Sequence, residues 1–188
     1  MKNTSISTKT NATETTHTLI IASLMAALTC VGTMIIKVPT PTNGYIHPGD
    51  GFVLLSGLLL GPIWGGLAAG IGSALSDLIG GYFIYVPATF IIKALTAVVG
   101  YFVFVFMKKV ISSRTNPAPV IISGITGEAV MVFGYFLFEI FMLATVNGSS
   151  VQAGFVAAAA GLIPNIIQGV FGVIISTVLY PLLTKLSR

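Results

Sequence analysis

The residues of this sequence that can bind a proton, a cation or a polar ligand are few and lie among apolar residues. They are Asp50, Asp77, Lys93, Glu128 and Glu139. An ionisable side chain within a membrane segment is costly and marks a functional site by default. We therefore predict that Lys93 pairs with a carboxylate, with Asp50, Asp77 and Glu139 as the candidates. Two simpler interpretations stay open, namely a purely structural pair of Asp77 with Lys93 and a helix cap at Asp50.

Tyrosines, a histidine and two amides accompany these charges along the chain. Together they predict a polar pocket with aromatic walls, which suits a small, flat, polar ligand. The candidate ligand-binding residues are Tyr45, His47, Asp77, Tyr85, Lys93, Tyr135, Glu139, Asn165 and Gln168. Asn165 and Gln168 are three residues apart and share a helix face. Buried amides also link membrane helices to each other, so that alternative stays open for these two residues.

A second polar feature is a helix face that carries two carboxylates and a phenol. Glu128, Val132, Tyr135 and Glu139 follow each other at intervals of four, three and four residues, so their side chains share one face. Such a face does not point to lipid. Glu128 falls near the middle of its apolar segment, where it serves either as a proton or cation site or as a buried polar contact.

Several classes of function lack support in the sequence. His47 has no second His or Cys nearby, so no metal site is expected, and Cys30 is the only cysteine, which excludes an internal disulfide. No Ser-His-Asp order, P-loop or His-Glu-x-x-His motif is present, so we predict neither an enzyme nor a bound cofactor. Basic residues do not alternate with aromatic ones, so a nucleic-acid partner is not expected.

The composition is that of an integral membrane protein. A soluble domain has about 25% charged residues, whereas 7% are charged here and 55% are hydrophobic. Short basic segments stay on the cytoplasmic side of a membrane. Most of the nine basic residues lie in three such segments, which contain Lys2, Lys9, Lys108, Lys109, Arg114, Lys185 and Arg188.

Six apolar spans separate these segments, and the predicted fold is an all-α integral membrane bundle of six transmembrane helices with both termini cytoplasmic. The spans are 18–36, 51–60, 63–79, 87–107, 117–143 and 152–180. A single helix over 51–79 would reverse the sidedness of the basic segment at Lys108, so we predict a hairpin at Gly61-Pro62 instead. Residues 1–17 are predicted to be a disordered cytoplasmic tail, and residues 18–188 the membrane domain. The outer loop 37–50 contains three prolines and is not expected to be helical.

Small residues allow close approach of helices in the first and third spans. Ala22 and Ala26 have small-xxx-small spacing, as do Gly66 and Gly70. Packing within the protein is the simpler interpretation. The functional one is a smooth face for a separate membrane partner.

Part of this chain resembles a known family. The residues that carry the resemblance are Tyr-Ile-His-Pro-Gly-Asp at 45–50, the run from Gly61-Pro-Ile-Trp-Gly-Gly to Asp77, Gly81-Tyr82, and Pro-Ala-Thr-Phe-Ile-Ile-Lys at 87–93. They are similar to the substrate-binding S components of energy-coupling factor (ECF) transporters. The chain looks most like the branch related to riboflavin-type S components that includes hydroxymethylpyrimidine and pyridoxine carriers.

The resemblance implies a function and partners. S components of this family capture a vitamin outside the cell, work with a membrane scaffold subunit and two cytoplasmic ATPases, and are thought to topple in the membrane to release the ligand. It implies a multi-pass protein of the bacterial plasma membrane, with Ala22 and Ala26 at the scaffold contact. The favoured ligand is a B6 vitamer or hydroxymethylpyrimidine.

We accordingly assign expected roles within the pocket. Glu139 or Asp77 would bind a ring nitrogen or amine, and Tyr85 or Tyr135 would stack on the ring. The hydroxyls of the ligand would contact Asn165 and Gln168. Two other hypotheses remain: a stand-alone proton-coupled carrier that uses Glu128, and a membrane scaffold without transport activity, which the buried Lys93 and Glu139 argue against.

Overall fold

The computed structural model describes residues 4–40, 44–111, 115–146, 148 and 150–186, and for residues 4–13 and 186 the backbone alone. The described chain is helical apart from one short β-hairpin. Its elements are α1 (Thr4–Ile35), β1 (Val38–Pro39), β2 (Tyr45–Ile46), α2 (Asp50–Gly80), α3 (Val86–Val110), α4 (Ala118–Thr145) and α5 (Val151–Leu186). Within the described residues, five helices are long and apolar enough to cross a membrane. The all-helical membrane architecture is therefore confirmed.

Helix α1 extends further than its apolar part. It begins at Thr4, whereas its membrane-compatible section begins at Glu14. Residues 4–17 thus differ from the disordered tail that their polar composition predicts. Extending a formed helix costs little once its first turn exists, so the apolar section can propagate into weak helix formers.

Helix α2 contains both the second and the third predicted spans, which the structure joins into one element from Asp50 to Gly80. The helical path is interrupted at Gly61, which has φ 79° and ψ −175°, and Pro62 follows. These dihedral angles belong to a region that only glycine occupies readily. Proline in turn removes a backbone donor and cannot continue the preceding turn.

The chain reverses direction at this interruption. A Cβ atom added at Gly65 would collide with the carbonyl oxygen of Ser56, although nine residues of straight helix would separate the two by about 13 Å. Val53 and Ala69 also pack together with Ala97 of α3 in one buried cluster. The two sections of α2 therefore lie side by side, as the Gly-Pro pair predicts.

The two sections of α2 differ in length, and this difference sets the depth of the loop before them. At 1.5 Å per residue, 50–60 extends about 16 Å and 62–80 about 28 Å from the reversal. Asp50 therefore lies roughly 12 Å deeper in the bundle than Gly80. Asp50 is fully buried accordingly, and the loop that ends there dips between the helices.

The loop after α1 folds as an antiparallel β-hairpin in which Val38 pairs with Ile46 and Pro39 with Tyr45. It is non-helical, as its prolines predict. We call the end of the bundle where this hairpin and residues 81–85 lie the hairpin end.

The opposite end of the bundle carries lysines. Lys108 and Lys185 line one surface depression there, close to Tyr180. Lys2, Arg114 and Arg188 lie outside the described residues, as does the side chain of Lys9.

We expect that Gly61→Ala destabilises the protein by about 1–3 kcal/mol, because the new Cβ would have to adopt a conformation that side chains avoid. The nearest heavy atom to such a Cβ is 4.0 Å away, so strain and not collision is tested. SDS titration in mixed micelles measures the free energy of unfolding. Gly100→Ala is the matched control because its Cβ would have ordinary contacts at 3.5 and 3.6 Å. Equal stability of the two variants would contradict the reversal at Gly61.

Candidate functional site

A small polar cavity with about 30 Å³ of free space lies at the hairpin end of the bundle. The hairpin and all five helices contribute side chains to its wall. The lining residues are Thr33, Thr40, Gly44, Tyr45, His47, Ser73, Ser76, Asp77, Tyr82, Tyr85, Thr89, Tyr135, Glu139, Asn165 and Gln168.

The structure brings eight of the nine predicted ligand-binding residues to this cavity, and Lys93 is the exception. Their role as ligand contacts stays a prediction. Sequence reasoning missed the hydroxyl residues of the wall, above all Thr33, Ser73 and Thr89. Ser73 and Asp77 are four residues apart and share a helix face, a spacing that could have drawn attention to Ser73.

Lys93 and Asp50 form a buried ion pair below the cavity. The Lys93 Nζ atom donates to Asp50 Oδ1, and both side chains are 0% exposed. The prediction that Lys93 pairs with a carboxylate is thereby confirmed, with Asp50 as its partner. Asp50 makes no helix-capping hydrogen bond, so the alternative of a cap at this residue is wrong.

Gln168 of α5 connects this ion pair to the loop after the hairpin. Its Nε2 donates to Asp50 Oδ2 at 2.7 Å, and its Oε1 accepts from the backbone N–H of His47 at 3.0 Å. Both ends of the amide therefore have protein partners. This geometry favours a positioning role for Gln168 over the predicted direct contact with ligand hydroxyls.

The second carboxylate of the region, Asp77, is held by the hairpin. Tyr45 donates from its hydroxyl to Asp77 Oδ1 at 2.6 Å and lies 3.4 Å from Ser76 Oγ. Burial, assisted by Asp77, raises the pKa of Tyr45 above its ordinary value, so this phenol stays protonated and remains a donor. Asp77 is therefore paired with Tyr45 and not with Lys93.

The opposite wall of the cavity is aromatic. Tyr135 and Thr89 share a hydrogen bond of 3.0 Å between their hydroxyls. Lys93 Nζ lies 5.2 Å from the centroid of the Tyr135 ring, and the ring of Tyr85 packs edge-on against Phe138 at 5.3 Å. These contacts fix two flat surfaces beside the polar groups.

The hairpin residues that line the cavity are neutral, and a cation outside the lining packs against two of the tyrosine rings. Lys37 Nζ lies 4.3 Å from the ring centroid of Tyr45 and 5.3 Å from that of Tyr82. Burial lowers the pKa of the His47 imidazole to about 3, an effect that nearby Asp50 only partly offsets. The His47 Nδ1 atom accepts from Gly49 N–H at 3.1 Å. Neutral His47 therefore carries its hydrogen on Nε2 and offers the cavity a donor.

Glu128 lies apart from the cavity wall. It is 4% exposed, and neither of its carboxyl oxygens has a hydrogen-bond partner among the described residues. The side chain packs against Gly169 and Gly172 of α5, close to Asp50. It also borders an apolar groove between α4 and α5 that has Phe133 among its lining residues.

Ala22 and Ala26, the two alanines predicted to contact a partner, lie on the side of α1 that packs against α2. Ala22 is 7% exposed and packs with Leu55 and Ala68, and the backbone carbonyl of Ala26 lies against Gly72. Both residues also form part of an apolar groove along α1 and α2. Internal packing thus accounts for Ala22, whereas Ala26 is only partly buried.

An all-helical membrane bundle that encloses a polar cavity at one end defines a membrane-embedded small-molecule-binding protein. Residues 13–185 match the family described as ECF-type riboflavin transporter, S component. The chain therefore belongs to this family of transport subunits, and the resemblance to S components of ECF transporters is confirmed.

The proteins that resemble the chain include the following two. One is described as an uncharacterized protein in the gap 3′ region of Pyrococcus woesei and is 35% identical over 147 residues, which is 77% of this chain and 86% of that protein. The other is the S component of a bacterial ECF transporter, a solved structure that is 21% identical with a TM-score of 0.68 and covers 93% of this chain and 99% of its own. At that identity, the solved structure supports the fold alone.

Membership of the family determines the general role. S components of ECF transporters bind a vitamin, work with a membrane scaffold subunit and ATPases, and are not enzymes. The chain is accordingly a multi-pass plasma membrane protein.

Removal of one charge from the buried pair should destabilise the protein more than removal of both. Lys93→Met leaves Asp50 without a counter-charge and should cost about 3–5 kcal/mol, and Asp50→Asn should have a similar cost. The double variant buries no charge at this point and should recover most of the loss. SDS titration measures each free energy of unfolding, with Lys109→Met at an exposed site as the control. Additive losses in the double variant would show that the pair is not coupled.

Proposed function

We propose that this chain is a vitamin-binding S component that captures a small aromatic vitamin or precursor outside the cell. A B6 vitamer or hydroxymethylpyrimidine is the favoured ligand. The observation that carries the proposal is the cavity with two carboxylates, four tyrosines and an asparagine in its wall. A scaffold subunit and two ATPases then deliver the ligand to the cytoplasm.

The size of the cavity supports a small ligand. Its free space is about 30 Å³, so the wall has to move apart to admit a ligand, and a ligand with one aromatic ring requires the smaller movement. The description of the family names riboflavin, so riboflavin, which has three fused rings, is the competing ligand. It requires more flat, enclosed space than a pyridine or pyrimidine does.

The charges of the wall support a ligand without a phosphate. Among the described residues, the cavity lining includes Asp77 and Glu139 but no lysine or arginine. The charge of Lys93 is balanced by Asp50. An anionic ligand would therefore meet negative charge in a confined space. Ring nitrogens and amines, in contrast, suit these carboxylates as donors.

We propose roles for five residues in this cavity. Glu139 or Asp77 binds a ring nitrogen or an amine, and Tyr85 or Tyr135 stacks on the ring. Asn165 binds a hydroxyl of the ligand. It is buried, with 7% of its surface exposed, so an unmatched ligand atom there would be costly.

We further propose that the chain crosses the membrane six times with both termini in the cytoplasm. The reversal at Gly61 makes α2 enter and leave at the hairpin end, which counts as two of the six helices. The lysines at the ends of α3 and α5 then share the cytoplasmic side, and the cavity faces outward. This orientation suits a subunit that captures its ligand outside.

Substitution in the proposed binding wall should weaken ligand binding without loss of the fold. Glu139→Gln and Asn165→Ala should each raise the Kd tenfold or more, which corresponds to about 1.4 kcal/mol. Calorimetry on purified protein with pyridoxine, pyridoxamine, hydroxymethylpyrimidine and riboflavin measures the Kd, and pyridoxal phosphate should bind least well. Glu14→Gln, at an exposed position outside the cavity, is the control. If both variants keep the affinity of the unaltered chain, the ligand binds elsewhere.

A second test concerns coupling to the scaffold subunit. We propose that the groove between α1 and α2 that contains Ala22 and Ala26 receives a helix of this subunit. Ala26→Trp should then abolish ATP-driven uptake in proteoliposomes that contain all subunits, while the Kd of the isolated chain stays unchanged. Leu24→Trp is the control because Leu24 is exposed on α1 but does not line the groove. Joint loss of binding and uptake would assign Ala26 to internal packing.

One observation favours a second candidate function. The buried carboxyl group of Glu128 has no hydrogen-bond partner among the described residues. A proton-coupled carrier requires a buried carboxyl group that binds and releases a proton, and Glu128 in its protonated form would be that group. Uptake by the chain alone, driven by a pH gradient and lost in Glu128→Gln, would support that carrier. Strict dependence of uptake on ATP and the other subunits would exclude it.

A further inference from the structure

Two buried hydroxyl groups in the cavity wall have no protein partner. Thr33 of α1 and Ser73 of α2 are each 1% exposed, and both line the cavity. The oxygens Thr33 Oγ1 and Ser73 Oγ have no hydrogen-bond partner among the described residues. Buried polar groups are nearly always hydrogen-bonded in proteins, and an exception within a cavity calls for a partner that is not part of the protein.

The helix backbone would normally supply that partner. Buried Ser and Thr side chains in helices commonly donate to a carbonyl three or four residues earlier. Three neighbouring residues do so here: Ser76 to Ser73, Ser56 to Phe52, and Thr96 to Ile92. Thr33 and Ser73 make no such bond, so their hydroxyls remain available to the cavity.

The surroundings of the two hydroxyls restrict the kind of group that they can bind. Asp77 lies one turn after Ser73 on the same helix face. Within the part of the chain that the structure describes, no lysine or arginine lines the cavity. A negatively charged group beside Ser73 would be repelled by Asp77. A hydroxyl group can donate or accept, so an uncharged hydroxyl or ring nitrogen is a suitable partner.

We infer that Thr33 and Ser73 form a ligand-binding subsite on the α1–α2 wall, which takes an uncharged hydroxyl or ring nitrogen of the ligand. This inference rests on the proposed function. Thr33 and Ser73 belong to α1 and α2, whereas Tyr135 and Asn165 line the same cavity from α4 and α5. The ligand would thus connect the two halves of the bundle. Gly49 packs directly against the Thr33 hydroxyl, which brings the loop before α2 to the same point.

The experiment exchanges a hydroxyl for a methyl group of nearly the same shape. In Thr33→Val the Kd for the best-bound probe among pyridoxine, pyridoxamine, hydroxymethylpyrimidine and riboflavin should rise tenfold or more. The apparent melting temperature without ligand should stay equal or increase, since an unpartnered buried hydroxyl is lost. Ser73→Ala should act in the same direction, and Thr33→Ser should retain the affinity.

Thr29→Val is the matched control on the same helix. Thr29 is one turn before Thr33 and 0% exposed, and its hydroxyl also has no partner among the described residues. It does not line the cavity, however. Its variant should therefore show the same change in melting temperature with an unchanged Kd.

The outcomes separate this subsite from the proposed function. Unchanged Kd values in Thr33→Val and Ser73→Ala, with clear binding by the unaltered chain, would overturn the subsite and leave the function standing. Equal weakening in Thr29→Val would also overturn it, because the effect would then be a general one of α1. Absence of binding to all four probes by the unaltered chain would overturn both. If Thr33→Val does not fold, Ser73→Ala and Thr33→Ser still decide the question.

Discussion

The buried ion pair between Asp50 and Lys93 is the interaction on which the site depends. Two charges removed from water are stable only when their geometry is good and their remaining bonding capacity is satisfied. Here Gln168 satisfies the second oxygen of Asp50, so three helices meet at one carboxylate. Asp50 reaches this depth because the first section of α2 is short and reverses at Gly61. The reversal, the dipping loop and the ion pair therefore require one another.

The same pair determines the electrostatic character of the cavity. Because Lys93 is occupied by Asp50, its charge does not attract anions into the space above. The carboxylates of Asp77 and Glu139 then dominate the wall, together with neutral His47 and several hydroxyls. Under the proposed function, a cavity with this balance would bind donors on a ring better than a phosphate. The buried pair would then contribute to selectivity without contacting the ligand itself.

Much of the fold and of the site could be predicted from the sequence, because membrane burial makes both apolar spans and stranded charges conspicuous. The hairpin at Gly61-Pro62 followed from two physical facts, a helix-breaking pair and the sidedness of the basic segments. The partner of Lys93 could not be predicted from the sequence, because three carboxylates were candidates. The depth of Asp50, which decides between them, depends on the tertiary packing of α2. Thr33 and Ser73 could not be predicted as part of the cavity wall for another reason. In sequence, a hydroxyl that bonds its own helix looks the same as one that faces a cavity.

The contacts of the hairpin are weaker than the ion pair below them, and this gradient has a consequence for ligand entry. The hairpin is held by the cation–π contact of Lys37, by the bond from Tyr45 to Asp77 and by the bond from His47 N–H to Gln168. Cation–π contacts at accessible sites contribute about 0.5–1 kcal/mol, and a hydrogen bond to a charged group about 1.5–3 kcal/mol. Breaking the buried pair would instead leave an uncompensated charge, at a cost of about 3–5 kcal/mol. Each contact of the hairpin is therefore weaker than the buried pair when taken singly, although the three together are of similar size. The hairpin contacts can break one after another, so under the proposed function a ligand would enter on this side while Asp50 keeps its position.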